Sequence, residues 1–269
     1  MPRIKVGQTE LNRIIKNLSD RDLAILKSVS EFKLLTAPQV EALHFSHQGS
    51  KMAQVRSSRR TLERLFNQRV LIRLERRIGG VRAGSSSFIY GIGPIGNRIL
   101  FPDLKKRPNI DPSYAFITHT LAISQIFTDL TIQSKLLGFE LEYYETEPKC
   151  WRQFKLGFGV NQILKPDLFL VLSNEHEQFF WFIEVDLSSE STKAIARKCN
   201  IYNSYFNTGV EQQNNGTFPK VLWIVNSYSR FLSISQTIKD LKNVNQELFT
   251  VSITENASNA LTGELLNDT

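Results

Sequence analysis

The chain has little of several things. Cysteine occurs twice in 269 residues, at Cys150 and Cys199, and histidine four times. Neither cysteine belongs to a CxxC pair or sits beside a histidine cluster, which argues against a disulfide framework or a zinc site. No apolar run approaches the roughly 18–20 residues that would span a bilayer. The longest, around Phe179–Ile183, is strand-sized. "MPRIKVGQTELNR" has no apolar core and does not read as a signal peptide. These absences lead to the expectation of a cytoplasmic protein with no membrane partner. The length suits one large domain or two medium ones.

Charge is what the chain has, and it is unevenly placed. The net charge is +7, but residues 1–107 hold 21 Lys/Arg against 8 Asp/Glu, and residues 108–269 hold 12 against 18. The first part is therefore +13 and the second −6. A basic half suggests a polyanionic partner, most plausibly nucleic acid.

"LSDRDLAILKSVSEFKLLTAPQVEALHF" predicts two helices. The first has Ser19 as cap, Asp20 and Asp22 in its first turn, and an apolar face of Leu23, Ile25, Leu26 and Val29. The second has Thr36 as cap and Pro38 in its first turn, with Val40, Leu43 and Phe45 facing inward. "SKMAQVRSSRRTLERLFNQRVL" predicts a third, with an apolar stripe of Val55, Leu62, Leu65 and Phe66. Its other face carries Lys51, Arg56, Arg59, Arg60 and Arg64, with Ser57, Ser58 and Thr61 as further polar contacts.

Two strands follow, "LIRLERRI" and "SSFIYGIG", joined at Gly79-Gly80 and bearing Arg73, Arg76, Arg77 and Arg82. Three helices and a basic hairpin are the order of a winged helix-turn-helix, whose recognition helix enters the major groove while the wing reaches phosphates or the minor groove. One arginine reads as solvated surface; nine Lys/Arg on two adjacent elements read as a face that binds double-stranded DNA. This domain is assigned residues 1–101. Pro102, Pro108 and Pro112 place a linker at 102–113.

From residue 114 the pattern reads α-β-β-β-α-β-α-β, an α+β or α/β domain over 114–254 with a mixed sheet. The tail 255–269 has little periodicity and is expected to be loosely ordered. Within this domain "FFWFIEVDLSSES" places Glu184 and Asp186 two residues apart, on one side of a strand. Like charges so placed repel unless a proton or cation sits between them. Phe179, Phe180, Trp181 and Trp223 read as core.

Pro166-Asp167 on one strand and Glu184-x-Asp186 on the next resemble the PD-(D/E)XK, restriction-endonuclease-like core. That resemblance implies Mg2+ held by Asp167, Glu184 and Asp186, activating water against a phosphate. The lysine that usually follows two positions after the second acid is replaced by Asp186. Lys198 or Lys193 on the next helix would supply the ammonium instead. His119 and Glu140 or Glu142 are further candidates to complete the site.

The whole chain is similar to one family more closely, the replication-relaxation proteins of plasmids and mobile elements, over about residues 15–228. The likeness rests on the winged helix, "THTLAISQ", "PDLFLVL" and "FIEVDLSSESTKAIARKCNIYNSYF". It matches Glu184, Asp186, Glu190, Lys198 and Tyr202 or Tyr205 to the family's pattern. Leu187-Ser188-Ser189 departs from the Arg-Gly-Thr usual there. The resemblance implies a bacterial or archaeal source and a role in replication, relaxation, mobilisation or its regulation. Two readings stay open: a DNA-binding factor or transcriptional regulator without cutting activity, and a Mg2+-dependent endonuclease or nickase with catalytic Asp167, Glu184, Asp186 and Lys198. Palindromic sites often go with dimers, so a homodimer, or contact with other proteins of the element, is a further expectation.

Overall fold

A computed structural model describes residues 6–46, 49–78, 87–103, 112–188 and 190–266. Helices and strands alternate in the order α1 (Gln8–Lys16), α2 (Asp20–Glu31), β1 (Leu34–Thr36), α3 (Ala37–Phe45), α4 (Lys51–Asn67), β2 (Leu71–Ile78), β3 (Ser87–Ile92) and α5 (Pro94–Leu100). There follow α6 (Tyr114–Leu137), β4 (Glu140–Thr146), β5 (Arg152–Lys155), β6 (Asn161–Leu164), β7 (Leu168–Ser173), β8 (Gln178–Asp186) and α7 (Thr192–Phe206). The chain closes with α8 (Val210–Asn215), β9 (Lys220–Val225), α9 (Tyr228–Lys239), β10 (Phe249–Ile253) and α10 (Ala257–Leu266). The protein is thus a mixed α+β chain, and it divides into two compact units, residues 1–128 and 129–269.

In the first unit the expected caps form. Ser19 and Asp22 make a reciprocal capping box on α2, and Thr36 and Gln39 make another on α3. Each box satisfies two backbone N–H groups that the first turn would otherwise leave open. Ile25, Leu26, Val29, Val40, Phe45, Leu62 and Leu65 are buried. The sheet runs β1-β3-β2, all antiparallel. Strand β1 and helix α1 have no counterpart among the sequence expectations. The tip at Gly79-Gly80 lies outside the described residues.

Val55 differs from expectation. It lies on the α4 stripe that buries Leu62 and Leu65, yet it is exposed. The N-terminal turns of α4 run past the core, so the same stripe passes from protein into solvent. The sequence places a linker at 102–113, whereas the division into compact units falls later, within α6. The first part of that helix packs in the first unit: Ile117 and Leu121 pack with Leu34 and Ile89, and Ser124 Oγ donates to the Leu34 carbonyl at 3.0 Å.

The second unit is built on a five-stranded mixed sheet in the order β10-β9-β8-β7-β4. Strands β8, β9 and β10 run parallel, while β7 pairs antiparallel with β8 and β4. "QILKPDLFLVLS" is two strands rather than one. Lys165, Pro166 and Asp167 separate β6 from β7, and β6 pairs with β5 in a hairpin of its own. Along β8, Phe180, Phe182, Glu184 and Asp186 share one face, and their neighbours on β9 are Val221, Trp223 and Val225. Ile195, Cys199 and Tyr202 of α7 and Ile234 and Ile238 of α9 belong to the same core as Phe182 and Trp223. Leu168, Leu170, Trp181, Ile183, Leu222 and Ile224 point the other way and are buried too. Burial on both faces explains the nearly continuous apolar runs of these strands. The tail expected to be loosely ordered continues as a 3-10 turn and α10, because Ala257 and Leu261, one turn apart, are both buried.

Candidate functional site

The antiparallel register of β7 and β8 pairs Leu168 with Ile183, so the start of one strand meets the end of the other. That brings Asp167 beside Val185, whose N–H donates to Asp167 Oδ2 at 2.7 Å. Glu184 is fully buried. Its Oε1 accepts from the Tyr202 hydroxyl at 2.6 Å, and its Oε2 is ion-paired with Lys198. The Lys198 ammonium also lies over the Trp223 ring, 5.6 Å from its centre. Lys198 and Tyr202 are one helical turn apart on α7, so a single face of that helix supplies both partners.

The protonation of this group follows from its surroundings. Burial pushes the Glu184 carboxyl up to about 8; Lys198 opposes that, and the Asp167 carboxylate beside it adds to it. Burial alone would lower the Lys198 ammonium, but Glu184 and Asp167 outweigh it and hold the ammonium above its ordinary value. Burial, and then Glu184, raise the Tyr202 hydroxyl far out of its usual range. Burial likewise raises the neighbouring Cys199 thiol to about 12, which leaves it a poor nucleophile.

Asp186 has a different partner. Arg230 at the start of α9 pairs with its carboxylate and donates from Nη2 to the Glu190 carbonyl at 2.6 Å. One guanidinium thus ties β8, the loop after it and α9 together. The sequence held no sign of Arg230, which lies 44 positions from Asp186. Tyr205 is also drawn elsewhere. Its hydroxyl donates to Glu211 at 2.8 Å, and Glu211 accepts from Arg152 at 2.9 Å. Arg152 in turn reaches Glu145 at 2.8 Å and lies over the rings of Phe169 and Phe182. Of the two candidate tyrosines, Tyr202 is therefore the one at the acids.

Among the described residues no three His, Cys, Asp or Glu side chains gather as a metal set. At Glu184 and Asp186 a shared Mg2+ would compete with Lys198 and Arg230, which already pair with them, whereas the backbone N–H on Asp167 would not exclude it. Lys193 is exposed on α7. Glu140 pairs with Ser173 at the end of β7 opposite Asp167, and Glu142 accepts from Gln178 at 2.5 Å, so neither joins the acids. His119 belongs to the first unit.

In that first unit the basic residues of α4 divide into two kinds. Arg56, Arg59 and Arg60 are exposed, and among the described residues no carboxylate pairs with them. Lys51 is exposed but pairs with Glu41 at 2.5 Å. Arg64 points inward to the buried Asp22 at 2.6 Å, so it ties α4 to the cap of α2. Ser58 is buried. On β2, Arg73 lies between the rings of Phe66 and Phe88 and 3.4 Å from Glu63. The side chains of Arg76 and Arg77, and all of Arg82, lie outside the described residues.

A family model described as replication-relaxation matches residues 26–221, which is most of the chain. No curated protein and no solved structure matches it. Among the described residues no helix is long and apolar enough to cross a membrane.

Proposed function

The chain belongs to the replication-relaxation family, and from that premise we propose that it is a duplex-DNA-binding protein acting in the replication, relaxation or mobilisation of a plasmid or mobile element. We read α2, α3, α4 and the β2–β3 hairpin as a winged helix-turn-helix with α4 as its recognition helix. The observation that carries the reading is the row of exposed arginines, Arg56, Arg59 and Arg60, on a helix whose N-terminal turns stand clear of the core. In a unit this basic they meet phosphates and base edges at little desolvation cost.

We read the second unit as a PD-(D/E)XK-like fold without cutting activity. Lys198 and Arg230 supply in protein the positive charge that a divalent cation would otherwise bring to Glu184 and Asp186. A Mg2+-dependent nickase is the second reading, favoured by the meeting of Asp167, Glu184 and Lys198 in one buried group. It would require Arg230 to release Asp186 to the metal. A transcriptional regulator is the first reading without a role in DNA processing.

One experiment separates them. Supercoiled plasmid is incubated with the protein and Mg2+ or Mn2+, beside Asp167→Ala and Glu184→Ala, and binding is followed by gel shift. Binding without nicking supports the main reading. Nicking lost in both variants overturns it in favour of the nickase. Absence of any duplex binding removes the DNA-binding claim, and affinity and salt slope unchanged in Arg59→Ala/Arg60→Ala remove the winged-helix reading of α4.

A further inference from the structure

Helix α4 carries something its arginines do not explain. Met52 is 68% exposed and Val55 43% exposed. With Arg56 and Arg59 they stand at i, i+3, i+4 and i+7, which is one face of a helix. The first three turns therefore present two apolar and two cationic side chains together, capped by Ser50. One exposed apolar side chain is ordinary, but two beside two arginines on one helix face suit a ligand that offers apolar and polar groups together.

The composition of the face identifies its occupant. An apolar partner would bury Arg56 and Arg59 without carboxylates to meet them, and burying a charge unpaired is expensive. The major groove of DNA offers both kinds of partner side by side. Thymine presents a 5-methyl group to apolar atoms, and guanine presents O6 and N7 to an arginine fork. Resting on the duplex-binding reading of α4, we propose that Met52 and Val55 are specificity residues that read thymine methyl groups, next to guanines read by Arg56 and Arg59. The ligand is then a duplex in which thymine and guanine are neighbours on the contacted edge.

Thymine and uracil differ in the major groove only by that methyl, so replacing one with the other tests the idea directly. The full-length protein is used to select sites from a random duplex pool. Its enriched site is then made with uracil at each thymine in turn, and affinity is read by fluorescence anisotropy. Wild type is expected to lose about fourfold in affinity for each contacted methyl removed. Met52→Ala and Val55→Ala are expected to bind thymine DNA more weakly and to be indifferent to uracil at the position each one reads. Both positions are exposed, and unchanged melting temperatures will show that the variants fold.

Equal wild-type affinity for thymine and uracil duplexes, or methyl dependence that persists at every position in both Met52→Ala and Val55→Ala, overturns the inference while leaving duplex binding in place. Failure to enrich any duplex overturns duplex binding, and this inference with it. Loss of self-association in the variants with DNA affinity unchanged assigns the face to a protein partner and also overturns it.

Discussion

Glu184→Gln should change how the stability of the second unit depends on pH. The glutamate carboxyl has an ordinary value of 4.5, and burial in the folded protein moves it to about 8. Between those values the folded state holds a proton that the unfolded chain has released. Raising the pH through that window therefore favours unfolding. The stabilisation is complete below about 4.5 and gone by about 8. At about 1.4 kcal/mol for each tenfold difference in proton affinity, the whole effect is roughly 5 kcal/mol at most.

Glutamine keeps the shape and an oxygen for the Tyr202 hydroxyl, but it cannot titrate. Its stability should lack this slope, so the wild type should lose ground to the variant steadily between pH 5 and 8. The assay is urea unfolding at each pH followed by tryptophan fluorescence. Trp151, Trp181 and Trp223 all lie in the second unit, so the signal reports that unit alone. If the wild type gains stability relative to the variant as pH rises, or if the two run parallel, the account of Glu184 as a buried group held protonated by its surroundings is wrong.

Other consequences are as direct. Lys198→Met should extend the fall in stability to higher pH, because the cation that lowers the Glu184 carboxyl is gone, and adding Glu184→Gln should abolish that extension in the same unfolding assay. Arg59→Ala/Arg60→Ala should lower duplex affinity and reduce the slope of log affinity against log salt by about 2, with no change in melting temperature. Arg64→Ala should do the reverse of that pair for stability, costing about 1–3 kcal/mol by stranding Asp22, which is 2% exposed. Gly96→Ala should destabilise the first unit by about 1–3 kcal/mol in thermal melts, because a Cβ there would lie 2.3 Å from the Val70 carbonyl oxygen.

Much of the local structure was legible because it depends on near neighbours. Ser19 and Thr36 cap the helices that follow them, and such signals need only three residues. The strands of the second unit show as apolar runs for the same reason. Short elements with weak pattern were missed: α1, β1 and the β5–β6 hairpin. The exposure of Val55 was missed as well, since periodicity gives the face of a helix but not where the core beneath it ends. The tail was misread because Ala257 and Leu261 make a helical face only where a packed interior exists to receive it.

The site divides along the same line. Sequence alone determined the split of charge between the halves, the placing of Glu184 and Asp186 on one side of a strand, and the nearness of Asp167 once two strands run antiparallel. Each follows from chain spacing and backbone geometry. Only the tertiary structure decided what faces those acids. Lys198 and Tyr202 reach Glu184 because α7 packs with its buried face on that side of the sheet, and Arg230 reaches Asp186 from α9. It also turned Arg64 inward and left Arg59 outside on the same helix. A carboxylate in a sequence is only a demand for a counter-charge; whether a metal ion, an ammonium or a guanidinium answers it depends on which elements pack against it.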